Sequence, residues 1–182
     1  MRSFDMIFQL HQRSEEIRSH LDKIDRILLR SRTLSGLTRQ VIRTLERDLA
    51  LIAVRILYRE NHPIARFLTW DRPRGAGTIA DGLFPNERFF DSEPFILDNP
   101  SGELGRGLFG ESAHLVASAV LAGLCAEGEE LGVLCLGSDD PVRYCGGMNT
   151  DLIVSLAEKI SLGIRNAWDH EQTAHQALVG RV

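Results

Sequence analysis

The densest apolar stretch of the chain is residues 118–138, SAVLAGLCAEGEELGVLCLGS. Two apolar runs, 119–125 and 131–136, flank the polar segment Ala126-Glu127-Gly128-Glu129-Glu130. Val, Leu and Cys in the runs, with a glycine free to take positive φ between them, predict an antiparallel hairpin closed by about 4–5 residues. Neither run alternates apolar with polar, so the sheet must be covered on both faces.

Upstream the period changes to that of helices. Ile7, Leu10, Ser14, Ile17, Leu21, Ile24 and Leu28 recur at alternating intervals of three and four, which predicts one long helix over 4–31 with a narrow coiled-coil seam. Such a seam points to pairing with a second copy, the other reading being a helix packed on its own sheet. A break at 31–36 leads into a second helix over 37–48, with Leu37, Val41, Leu45 and Leu49 on one face. LIAVRILY at 51–58 is rich in β-branched and aliphatic residues and reads as the first strand; Arg55, which interrupts it, is placed at a strand end or edge in preference to pointing into a pocket. Asn61, His62 and Pro63 form a turn, and 65–70 then reads as a second strand paired back on the first.

Between Pro73 and Pro100 lie four of the six prolines. This segment is expected to be irregular except for one short strand at 95–97, and its four phenylalanines, Phe84, Phe89, Phe90 and Phe95, require it to fold onto a sheet face. The run GELGRGLFG at 102–110 is too glycine-rich for a stable helix. It matches neither the P-loop nor the dinucleotide pattern, so a phosphate-cradling role for Arg106 is disfavoured. After the hairpin, Asn149 or Thr150 caps a last helix with an apolar stripe of Ile153, Leu156, Ile160, Ile164, Ala167 and Trp168, running to about His175. Beside the N-terminal helix it would make a four-helix bundle in a dimer.

Composition narrows the function classes. The net charge is −4, divided unevenly: residues 1–50 carry ten Lys/Arg against seven Asp/Glu, the rest eleven against eighteen. An acidic body disfavours nucleic acid as the partner. No apolar run approaches the ~20 residues that span a bilayer, and no secretory h-region opens the chain, so a cytoplasmic protein without membrane partner is expected. Cys125, Cys135 and Cys145 form no CxxC or zinc spacing and are expected to be reduced. No metal and no catalytic set is predicted: the six histidines are scattered, and Glu129–Glu130 and Asp139–Asp140 sit beside turns.

The order of elements, together with LFG at 108–110, SAVLAGL from Ser118, GVLCLGSDDP from Gly132 and GGMNTDLI from Gly146, resembles GAF domains, and within them an uncharacterised bacterial branch called domain of unknown function 484. The resemblance spans about 34–168. It implies an α+β fold with about six antiparallel strands, helices on one face, and a ligand pocket under loops on the other, but supplies no ligand or cofactor. The chain then divides into an N-terminal dimerisation and signalling helix (1–32), a GAF-like body (33–170) and a helix end with tail (171–182).

The expected function is that of a homodimeric sensory or regulatory module. A small molecule would lie between the sheet and the 73–111 insert, lined by Phe90, Phe95, Arg106, Phe109, His114 and Ser118. Ile7, Leu10, Ile17, Leu21, Ile24 and Leu28 would form the dimer interface, and the terminal helices would pass the signal to a protein partner. A ligand-free interaction scaffold is the second reading. A cysteine-dependent methionine sulfoxide reductase is the third, and needs an activated thiolate.

Overall fold

The computed structural model describes residues 18–69, 71–80 and 93–179. Ile7, Leu10, Ile17 and Phe90 lie outside the described residues.

The first helix, α1, is helical from 18 to 30, and α2 follows at Leu34–Asp48. Thr33 caps α2 by accepting from the Gly36 N–H at 3.2 Å. Strand β1 is Ala53–Arg59. The next segment, Pro63–Thr69, is a 3-10 helix and not the expected second strand. That strand, β2, comes later at Ala76–Ile79, and it runs parallel to β1. Phe95–Leu97 is β3, as expected. Glu103–Phe109 forms the short helix α3 despite its glycines, and a 3-10 turn at Gly110–Leu115 leads into the hairpin. Gly105 is the reason α3 can exist here: a Cβ on it would stand 1.6 Å from the Pro100 carbonyl oxygen. Absence of a side chain lets the helix lie directly on the preceding backbone.

The hairpin strands are β4, Ser118–Ala126, and β5, Glu129–Ser138. Its loop is only Glu127-Gly128, tighter than expected. Both residues have positive φ, 53° and 81°, the geometry of a type I′ turn that matches strand twist. Glu129 and Glu130 therefore belong to the strand. The last helix, α4, is Asp151–Val179; at 1.5 Å per residue it is about 43 Å long.

Among the described residues the sheet has five strands in the order β2-β1-β5-β4-β3, antiparallel except for the β1–β2 pair. The central strands are covered on both faces. One face packs against α1, α2 and α4 through residues such as Ile24, Leu45, Ile56, Tyr58, Leu134, Leu156 and Ile160. There the Tyr58 hydroxyl shares a 2.6 Å hydrogen bond with Thr38 and its ring meets Phe67 edge-on. The other face holds a second cluster containing Ala53, Leu57, Leu121, Val133 and Cys135, roofed by Leu108, Phe109 and Val116.

The described part of the α1 seam, Leu21, Ile24 and Leu28, faces the chain's own core. Ile24 is buried in the chain's own core, with Leu21 and Leu28 packed against it. Leu28 leans over Gly163 of α4, where a Cβ would approach it to 2.4 Å. Lys159 holds Asp25 at 2.7 Å and Lys23 holds Asp48 at 2.8 Å. Ile24 is thereby taken up by intramolecular packing, while Leu21 and Leu28 are partly buried.

Candidate functional site

The sheet face away from the long helices carries one residue that its burial does not explain. Arg55 is the third residue of β1, a strand flanked by β2 and β5. It alternates with Ala53 and Leu57, both in the second cluster, and lies across the ladder from Cys135. It is neither at a strand end nor on an edge, contrary to expectation. The side chain is half-buried, and its Nε is buried without a hydrogen-bond partner. Burial lowers the guanidinium's pKa, with the charge of nearby Arg72 acting in the same direction; the Cys135 thiol and Glu46 act against it. The signal was visible in the sequence as a lone cation inside LIAVRILY. What could not be read there was that β1 is an interior strand.

Arg72 contributes a second guanidinium to this face. Its Nε donates to the Ala76 carbonyl at 3.1 Å. Its terminal nitrogen lies over Gly77, 3.2 Å from where a Cβ would stand, and Leu57 is 3.1 Å from that same point. Leu57 and Gly77 are register partners, so Arg72 and Arg55 share a face about two residues apart along β1, roughly 7 Å.

The residues expected to line a pocket are dispersed around this face. Phe109 is completely buried, packed over Gly137 in the roof. Phe95 stands half-exposed on the edge strand β3, beside Leu121 in the register and thus on the same face as Arg55. Arg106 is exposed and donates to the Ser101 carbonyl at 3.1 Å, and exposed His114 bonds the Glu111 carbonyl through Nδ1 at 2.6 Å. Ser118 points to the opposite, helix-covered face. There its hydroxyl donates to the Asp140 carbonyl at 2.6 Å and accepts from the Tyr144 N–H at 3.4 Å, closing the β5–α4 connection.

A second concavity, an open cleft of about 470 Å³, lies at the hairpin tip among Arg59, Asn61, His62, Pro63, Gly128, Glu129 and Glu130. Arg59 pairs with Glu130, Arg165 of α4 pairs with Glu129, and His62 Nε2 stands 3.6 Å from Glu129. Acid meets base throughout, so this cluster ties the tip of the sheet to α4. No group of three or more His, Cys, Asp or Glu able to hold a metal occurs among the described residues.

The cysteines do not converge. Cys135 is fully buried and burial pushes its thiol well up, with Arg55 opposing; Cys125, half-buried, is raised by burial and by Glu130; Cys145 is exposed. Cys135 pairs with Leu121, four residues from Cys125 along β4, about 13 Å. A disulfide needs Cα atoms within about 7 Å.

No family model matches the chain, and no curated protein does. Solved structures match well in fold. The free methionine-R-sulfoxide reductase of Neisseria meningitidis, solved with its substrate, superposes with a TM-score of 0.57 at 13% identity, over 84% of this chain and 90% of that one. The GAF domain of A. aeolicus nlh2 in an inactive state gives 0.55 at 13%, over 84% and 97%. The GAF domain of an Acinetobacter phosphoenolpyruvate-protein phosphotransferase gives 0.54 at 14%, over 91% and 98%. The fold is that of GAF domains.

Proposed function

We propose that this chain is a GAF-type sensory or regulatory module of the domain of unknown function 484-like branch, acting in the bacterial cytoplasm by binding and not by catalysis. A small molecule binds against the sheet face opposite α1, α2 and α4, beside the described parts of the 73–111 connection, 73–80 and 93–111. Its arrival is passed through the sheet to the terminal helices of a homodimer and on to a protein partner. The observation that supports this most is Arg55, a half-buried cation on an interior strand with a buried donor left unbonded. Folding alone gives no reason to keep such a group, because burying an unpaired charge is costly.

The route for the signal is short. Strand β5 presents Val133 and Cys135 to the candidate face and Leu134 and Leu136 to the helix-packed core. Arg165 joins the hairpin tip to α4 directly. No described helix is long and apolar enough to cross a membrane.

Thermal denaturation against a panel of nucleotides, tetrapyrroles and amino-acid metabolites tests the reading. Stabilisation by at least one member is the expected result, and a flat response to all of them counts against a small-molecule sensor. A ligand-free scaffold is the second reading. It is favoured by the tight filling of the same face, where Leu108, Phe109, Leu121 and Val133 are all at 0% exposure. The reductase reading is weaker, since Cys125 and Cys135 are both shifted away from the thiolate form.

A further inference from the structure

We propose that the sheet face bearing Arg55 holds a small oxyanion, a carboxylate or a phosphate, gripped by the Arg55 guanidinium with Arg72 beside it. This rests on the small-molecule reading above and narrows the chemistry of its ligand.

Three observations lead there. Arg55 carries five N–H donors in a planar fork suited to two-oxygen anions, yet its Nε is buried and donates to nothing. The acidic charge acting on it is Glu46 of α2, and among the described residues neither Glu46 nor any other carboxylate is bonded to it. The group facing it across the ladder is a buried thiol, a weak acceptor.

Arg72 then adds a second cation on the same face, fixed by its Nε bond to the Ala76 carbonyl. Its terminal nitrogen is brought over Gly77 by the absence of a side chain there. Two guanidinium groups held as neighbours repel each other, and an anion between them removes that penalty. Both are positioned before any ligand arrives, one by a strand and one by a backbone acceptor, so little ordering cost attends binding. Leu57 beside Arg72, with Phe95 farther along the sheet on the same face, would accommodate an apolar body attached to the anion.

The test uses the full chain in chloride buffer. Acetate, succinate, inorganic phosphate and adenosine monophosphate are compared with uncharged counterparts, succinamide and adenosine, by thermal denaturation and calorimetry. At least one anion, at 100 times its Kd, is expected to raise Tm by about 5–10 °C, and its uncharged counterpart to leave Tm unchanged. Arg55→Gln should weaken that binding 10- to 100-fold, the loss of a charge-assisted bidentate contact, and Arg72→Gln less. Preference for succinate or acetate identifies a carboxylate ligand; preference for phosphate or the nucleotide identifies a phosphate.

Without anion, Arg55→Gln and Arg55→Met should unfold at or above the wild-type temperature, because removing a half-buried cation with a buried, unbonded Nε relieves the fold. A purely structural arginine gives the reverse, so destabilised or unfolded variants overturn the proposal. So does equal stabilisation of wild type and Arg55→Gln by the same anions. Uncharged compounds binding as well as anions would remove the anion preference and leave the small-molecule reading standing. If no compound of either kind shifts the wild type, both fall.

Discussion

Arg55 on β1 and Cys135 on β5 are direct register partners on the same face of the sheet. A cation and a thiol so placed could activate the sulfur, but here burial dominates: it pushes Cys135 well above the ordinary thiol value of 9.0, and Arg55 offsets only part of that. Alkylation of the folded protein near neutral pH should therefore modify exposed Cys145 first and half-buried Cys125 more slowly. Cys135 should react only as the chain unfolds. Rapid modification of Cys135 in the native state, followed by peptide mass mapping, would contradict this order and revive the reductase reading.

The same burial predicts an alkaline limb. The unfolded chain ionises Cys135 near pH 9.0 and Tyr58 near 10.0, whereas the folded chain holds both protons to higher pH. Each group's contribution is fully present below its unfolded value and is lost as pH rises toward its folded one. Unfolding free energy from urea titrations should thus fall above pH 9 by about 1.4 kcal/mol per pH unit for the first group. Cys135→Ala should make the fall between pH 9 and 10 shallower, leaving there the contribution of Cys125, whose thiol is also raised, before Tyr58 adds its own above pH 10.

On the acid side the telling group is Asp48. Its hydrogen bond from Arg47, then that from Lys23, draws its carboxyl down to about 2 from 3.8. That stability is present above 3.8 and is lost as pH falls through 2. Because Lys23 lies on α1 and Asp48 ends α2, Asp48→Asn should weaken the docking of α1. A cost of about 1 kcal/mol is expected, smaller at high salt, together with a flatter acid limb. Equal pH profiles for the two proteins would show the bridge to be inert.

Gly105 offers a sharper structural test. A Cβ there meets the Pro100 backbone at 1.6 Å, and backbone cannot rotate aside. Gly105→Ala should cost about 3 kcal/mol, at the upper end of overpacking effects, by lifting α3 from the sheet. Gly146, with nothing within 4 Å of its notional Cβ, is the control. Gly146→Ala should stay within about 0.5 kcal/mol of wild type.

What the sequence made legible was whatever had a clear period. The hairpin, the helices and the two covered faces followed from runs such as LGVLCLGS and from the stripe of α4. Elements made by tertiary contact were not legible. Helix α3 has three glycines in and before it, and forms because Gly105 seats it on Pro100. Strand β2, AGTI, has weak strand formers and is held by its parallel neighbour β1, while the apolar run after Pro63 was too short to separate strand from 3-10 helix. Arg55 was misplaced for the same reason: whether a strand is interior depends on pairings 20 to 80 residues away.

The dimer is the last matter on which sequence pattern and packing diverge, and they predict different mutants. If the α1 seam were intermolecular, Ile24→Ala would loosen the dimer. Ile24 is instead 1% exposed within its own chain, so Ile24→Ala should cost about 2–4 kcal/mol of stability and leave the association constant of the folded protein alone. Among the described residues, the large apolar groups exposed on the long helices are Leu29 on α1, 86% exposed, and Leu162 on α4, 55% exposed. Leu29→Lys with Leu162→Lys should leave Tm of the monomer nearly unchanged while weakening self-association at least tenfold by sedimentation equilibrium. A double variant that associates as wild type does would place the contact between copies elsewhere, and the signalling route through α1 and α4 would lose its support.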